Sequence, residues 1–299
     1  MNPLGRIVTG VEDGLYATRR RWKGFDHIWL AGVRYQDAGG GRLAAAIAYY
    51  GFFAVFAIGL LAYAGLGFLL EFNLNLFAAV DHFLRQNLPF LDPAQIQSSR
   101  GAIGLVGLLA LVLTGIGWIE SLRSSQRLIH QLDPGPGHPI IRRFVDLGVL
   151  VFVLLLLFIS VVAVDALESF LAWVFGTTGP VGTTLMALST ILTIVVNMIV
   201  ALSLMTAVPR LVMPPRRLLT PVITVALGIT VLNTFGRYYV IRTERNPAYT
   251  VVTGAVGILL YLYLFSQLLL FGTALAATSR HGRVGDVRSL RLRRKPKPS

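Results

Sequence analysis

Residues 147–164 read LGVLVFVLLLLFISVVAV, eighteen positions without a charge, held between Asp146 and Asp165. At a helical rise of ~1.5 Å per residue the two aspartates stand about 29 Å apart, close to the thickness of a bilayer's hydrocarbon core. Backbone groups in lipid must be paired within their own segment, so this run predicts a transmembrane helix with an acid at each end.

The pattern recurs on both sides of it. Runs at 43–70, 101–122, 144–168, 183–208, 218–240 and 250–277 are each long and apolar enough to cross a bilayer. They predict an all-α integral membrane protein, a six-transmembrane-helix bundle. The fifth run is the least regular, because Pro221, Gly228, Asn233 and Gly236 interrupt it. Composition agrees: 55% of the 299 residues are hydrophobic, 14% are charged and the mean hydropathy is +0.67, outside the range of soluble globular domains.

The net charge of +13 does not indicate nucleic-acid binding, because the basic residues sit in short segments between the runs and form no single soluble face. With the N-terminus inside, seven Lys/Arg precede the first span, four lie between Arg123 and Arg143, three between Arg210 and Arg217, and eight follow residue 279. Arg85, Arg100, Arg237, Arg242 and Arg245 remain outside. The positive-inside rule thus predicts a multi-pass protein with both termini in the cytoplasm. Residues 1–42 lack a compact apolar core with a small-residue cleavage site, so no cleavable signal peptide is expected.

Three regions follow: a cytoplasmic amphipathic or interfacial segment over 1–41, the six-helix transmembrane domain over 42–278, and a basic, disordered cytoplasmic tail over 279–299. In the first, Ile7, Val11, Leu15, Thr18, Trp22, Phe25 and Trp29 recur every three or four residues, which predicts one helix lying on anionic lipid. Ala38–Gly41 is expected to be a flexible joint. A second interfacial helix is expected between spans 1 and 2, where Phe72, Leu76, Val80, Phe83, Leu84 and Leu88 repeat similarly.

The absence of cysteine excludes disulfides, thiolate metal sites and cysteine nucleophiles together. His27, His82, His130, His138 and His281 lie outside the spans without metal-ligand spacing, and no P-loop, Rossmann or GxSxG fingerprint is present. Neither a metal nor a cofactor is expected, and no catalytic residue is assigned.

Ionisable and amide side chains form three candidate groups. Glu120, Arg123, Arg127, Arg142, Arg143 and Asp146 gather at the cytoplasmic ends of spans two and three. They read first as snorkelling boundary charges and second as a site for an anionic head group. Asp165, Glu168, Arg237 and Arg242 pose the same two readings on the outer face. Tyr49, Tyr50, Asn197, Asn233 and Gln267 are uncharged polar residues at depth, with Ser266 beside Gln267. Bonding between helices is their first reading and lining a cavity the second. Gly101, Gly104 and Gly107, like Gly254 and Gly257, are spaced for close helix packing.

The segment Arg42-Leu43-Ala44-Ala45-Ala46-Ile47-Ala48-Tyr49-Tyr50, the Val208-Pro209 loop, Asn246-Pro247-Ala248-Tyr249, Gly254, Gly257, Leu262-Tyr263 and Phe271-Gly272 together resemble the YihY/BrkB family of bacterial inner-membrane proteins. The likeness covers residues 25–280. It departs at Phe53-Ala54-Val55-Phe56-Ala57, where the family commonly has Ser and Pro, and at Ala274, where it has Glu. The resemblance implies six spans in a bacterial cytoplasmic membrane and a link to envelope lipids. An older label of the family, tRNA-processing ribonuclease, is opposed by the lack of a water-accessible domain with metal carboxylates or an acid/base pair. The expected function is transport or binding of an amphiphilic envelope component, an anionic lipid or lipid-linked glycan, with membrane lipids as partners and no nucleic acid. The alternative is a scaffold of an envelope, division or secretion complex, as a homo-oligomer or with other proteins.

Overall fold

A computed structural model describes residue 19 and residues 21–72, 93–175, 180–243, 247–282 and 284–286. Among them are seven helices: α1 (Lys23–Asp37), α2 (Gly40–Phe72), α3 (Pro93–Ile129), α4 (Pro139–Phe175), α5 (Pro180–Thr206), α6 (Pro215–Thr243) and α7 (Pro247–Thr278). Five of them begin on proline. Its fixed φ suits the first helical position, and its missing N–H would have had no partner there. Pro221 lies inside α6 without ending it, so the run predicted to be least regular is one continuous helix.

Four helices are long and apolar enough to cross a membrane among the described residues: Gly40–Glu71, Ser98–Ile129, Pro215–Gly236 and Gly254–Thr278. Ile191–Thr206 is a shorter apolar stretch. Many large side chains, such as Leu113, Phe144, Phe158 and Phe235, point outward with no protein over them, as a bilayer-facing surface requires.

Packing centres on α7, which touches α1, α2, α3, α5 and α6, while α4 packs on α3 and α5. The closest pair is α2 with α3. A Cβ on Gly107 would stand 3.0 Å from the Leu60 Cβ and 3.2 Å from the Leu61 backbone nitrogen, so only glycine lets the two backbones meet. Gly104 faces Ala64 in the same way, whereas Gly101 meets nothing. At one end of the bundle Ala44 and Ile47 of α2, Ile119 and Leu122 of α3, Leu204 of α5 and Leu275 of α7 share one buried core. The long helices therefore alternate in direction, and the start of α2, the end of α3, the end of α5 and the end of α7 lie together.

Three expectations are corrected there. The amphipathic run from Ile7 to Trp29 is not one helix. Trp22 is extended (φ −123°, ψ 100°), and α1 starts after it and continues to Asp37. The joint at Ala38–Gly41 is a tight turn, in which Gly39 adopts φ 68° and donates its N–H to Gln36 O at 2.8 Å, and Gly40 already belongs to α2. The basic tail is tied down at its start, because Gly285–Asp286 pairs antiparallel with Leu211–Val212, Asp286 opposite Leu211. Residues 1–18 and the interfacial helix expected over 73–88 lie outside the described residues.

Candidate functional site

A guanidinium node at the basic end

Arg123 and Arg127 are one helical turn apart near the end of α3, so both face the same neighbour. Asp146 sits two turns into α4 and is fully buried. The chain between them turns sharply: Gln131 takes φ 57°, and the Asp133 carboxylate accepts from the Gly135 N–H at 3.0 Å. This geometry returns three carbonyls to the arginines. Arg123 Nη1 donates to Pro134 O at 2.7 Å, Arg127 Nε to Asp133 O at 2.6 Å, and Arg142 Nη1 to Gly135 O at 3.1 Å.

The ionic contacts close the node. Arg123 donates to both Asp146 oxygens, Nε at 3.2 Å and Nη2 at 3.4 Å. Arg210, from the loop after α5, reaches Asp146 Oδ1 at 2.5 Å. Glu120 accepts from Arg142 at 3.1 Å and lies 3.7 Å from Arg123. Arg127 Nη1 donates to Pro209 O at 3.1 Å, and Gln126 Nε2 to Leu204 O at 3.1 Å, binding the end of α5 and the loop after it to α3. Three guanidiniums thus contact two carboxylates, while Arg127 beside them donates to the Asp133 and Pro209 carbonyls, so the node carries an excess of positive charge. Burial lowers the Arg210 pKa and Asp146 opposes that shift, as a charge leaving water beside its counter-ion requires.

Five of the six residues expected in this cluster meet here. Arg143 does not; it is exposed. The sequence reading missed Arg210, held at φ 58°. Its only signal was the position immediately after Val208-Pro209. It also missed Arg217, whose Nε, Nη2 and Nη1 donate to Ala276 O, Ala277 O and Gly282 O at 2.6, 2.7 and 2.9 Å. These are carbonyls at and beyond the last turn of α7, where helices leave acceptors unpaired. His130, just past α3, is pushed down to a pKa of about 4, first by burial and then by Arg217, Arg34 and Arg127.

Two of the residues expected to line a cavity are bonded to neighbouring helices. Asn197 Nδ2 donates to Thr230 Oγ1 at 3.0 Å, joining α5 to α6, and the Tyr261 hydroxyl donates to Asn233 Oδ1 at 2.6 Å, joining α7 to α6. Interhelical bonding, the first reading of these amides, describes both. Tyr49 is 57% exposed, and its ring stacks edge-on with Tyr50 and Phe53 along the outward face of α2. Tyr49 therefore faces outward, whereas the Tyr50 ring also lies against α3, where a Cβ on Gly117 would stand 2.7 Å from it. Gln267 is half-buried. Asp165 and Glu168 fall on α4 and Arg237 and Arg242 on α6, with side chains outside the described residues. No group of three His, Asp or Glu side chains suited to a metal occurs among the described residues.

Similarity to known proteins

The sequence model of a family described as virulence factor BrkB matches residues 31–297. An uncharacterized protein of Dickeya dadantii (strain 3937) is 26% identical over 279 residues, covering 85% of this chain and 83% of its own. The inner membrane protein YhjD of Escherichia coli (strain K12) is 23% identical over 282 residues, covering 85% and 81%. No solved structure matches the chain.

Proposed function

Since the chain belongs to the virulence factor BrkB family, whose members include an inner membrane protein, we propose that it crosses the bacterial cytoplasmic membrane six times and moves or binds an anionic amphiphile of the envelope. The proposal places both termini, and the node around Asp146, on the cytoplasmic side, where the charge count puts them. Helices α2 to α7 are the six crossings; α4 and α5 complete the set that α2, α3, α6 and α7 begin.

One observation carries the functional reading. Within the bundle's basic end, the protein holds more guanidinium than carboxylate in a buried setting, and such an excess favours an anion at the adjoining surface. A surrounding apolar surface lets that anion carry acyl chains. A scaffold role is the second reading, favoured by the outward apolar side chains of Trp22, just before α1, and of Ile28, Trp29 and Val33 within it, on a helix that packs against α7. A ribonuclease is not carried further, since it needs an acid/base pair or metal carboxylates open to water, and the node's two acids are engaged by arginines.

The test is translocation of fluorescent lipids in proteoliposomes. The transport reading expects movement of anionic lipids faster than in protein-free vesicles and faster than of phosphatidylcholine. No movement across a broad lipid panel sinks it.

A further inference from the structure

We infer that a second, open site lies where α1, the start of α6 and the end of α7 meet, and that it takes the phosphate head group of an anionic lipid. The inference rests on the membrane orientation proposed above, and it names a binding site distinct from the sealed node.

A cavity of about 270 Å³ opens at this junction. Lys23 and Asp26 come to it from α1, Arg216 and Arg217 from α6, and Thr278 and Arg280 from the end of α7. Asp26 is its single acid, and that carboxylate is already held by Arg19 at 2.9 Å and approached by Arg280 at 3.9 Å. Among the described residues Lys23 and Arg216 meet no acid. Two cations therefore border a concave space without the counter-charge that the node supplies to Arg123 and Arg210.

The walls are built, not loose. Arg217 is committed to three carbonyls of α7 and its following turn, so it fixes the floor and adds field. His27 Nε2–H donates to Leu275 O at 2.9 Å and pins α1 to α7. Arg216 and Arg217 also stand in the first turn of α6, where the amide dipoles add to the positive potential. Thr278 Oγ1 donates to Ala274 O at 2.9 Å, which fixes its side chain on the last turn of α7.

Location selects a lipid over a soluble anion. Trp22 is 69% exposed next to Lys23, and Ile28, Trp29 and Val33 are exposed further along α1. Exposed tryptophan and branched aliphatic side chains on a helix with basic neighbours mark the head-group layer of a membrane. The volume suits a glycerol-phosphate head, with the acyl chains left in the bilayer beside α6 and α7. A choline head adds a cation of its own to a site that is already cationic, so phosphatidylcholine is the weaker ligand.

The experiment titrates the full chain, purified in detergent, with short-chain phosphatidylglycerol, phosphatidylcholine of the same tails, and tailless glycerol phosphate. We expect phosphatidylglycerol to bind best, and Lys23→Gln with Arg216→Gln to weaken it at least tenfold while leaving phosphatidylcholine unchanged. Lys295→Gln with Lys297→Gln removes the same charge from the far tail and should have no effect. Arg216→Lys keeps the charge and should retain most of the binding, and unchanged melting temperatures exclude misfolding. Equal loss in both charge-matched doubles, or none in the cavity double, overturns the site. Equal affinity for tailless glycerol phosphate overturns the lipid assignment. Lipid movement measured on the same proteins separates this inference from the transport reading. A wild type that binds but moves nothing leaves the site standing without transport. One that moves lipid while the cavity double binds normally removes the site alone.

Discussion

The node around Asp146 and the cavity beside Lys23 lie at the same end of the bundle and carry the same sign of charge, yet the fold treats them oppositely. In the node the two buried guanidiniums are held by acceptors, Arg123 by Asp146 and Pro134 and Arg127 by Asp133 and Pro209, and Arg142 and Arg210 each reach a carboxylate although their buried Nε–H groups meet no acceptor among the described residues. In the cavity, Lys23 and Arg216 are left facing space. The difference teaches that an excess of arginine can act in two ways, as a sealed source of positive field for the adjoining surface or as an open contact for a ligand. What decides is whether turns nearby return carbonyls to it.

If the node is a lock, removing its acid should be the most damaging single change. Asp146→Asn leaves buried Arg123 and half-buried Arg210 beside a neutral amide, and breaking a buried pair typically costs ~3–5 kcal/mol. Thermal unfolding in detergent should show this, and Asp146→Asn together with Arg210→Gln should recover part of the loss. A loss below about 1 kcal/mol would remove the distinction between lock and cavity.

Gly107→Val should follow, at ~1–3 kcal/mol, because its methyls would be driven into the α2 backbone. His130 sharpens the comparison through pH. Its folded pKa of about 4 lies below the ordinary value of ~6.5. Below pH 6.5 the unfolded chain therefore takes up a proton that the folded one refuses. Stability should fall between pH 6.5 and 4, by roughly 1–3 kcal/mol, and level off below, and His130→Gln should flatten that part of the profile. Glu120→Gln removes a half-open acid and should cost less than ~1 kcal/mol. Smallest of all, Lys23→Gln and Arg216→Gln should each shift stability by no more than ~0.5 kcal/mol, since neither meets an acid among the described residues.

The helices were legible because apolar run length decides them, and all six predicted runs fall within or beside observed helices, as with 43–70 inside Gly40–Phe72 and 250–277 inside Pro247–Thr278. Proline at the first helical position was a further signal left unread. Five residues of the node were legible from helical depth, since Glu120 and Asp146 had to come to the same end. Arg210 and Arg217 were not, because their partners are Asp146 across the chain and backbone carbonyls created by turns. The orientation of Tyr49 and Tyr50 was not legible because α2 is apolar all round, so its sequence does not say that Tyr50 turns toward Gly117 of α3 while Tyr49 turns outward. The break at Trp22 and the Leu211–Asp286 pairing each rest on one or two residues, too few to leave a periodic pattern.

Both the lock and the lipid site presuppose a bundle crossed six times with its basic end in the cytoplasm. The chain's lack of cysteine makes single-cysteine accessibility in intact cells and inverted vesicles the most direct test. His138→Cys and His281→Cys should react only from the cytoplasmic side, and Asp92→Cys, Thr178→Cys and Glu244→Cys only from outside. Reaction of Thr178→Cys from the cytoplasm would mean that α4 and α5 do not cross, and a reversal of all five would put the basic end outside; either result would contradict the account.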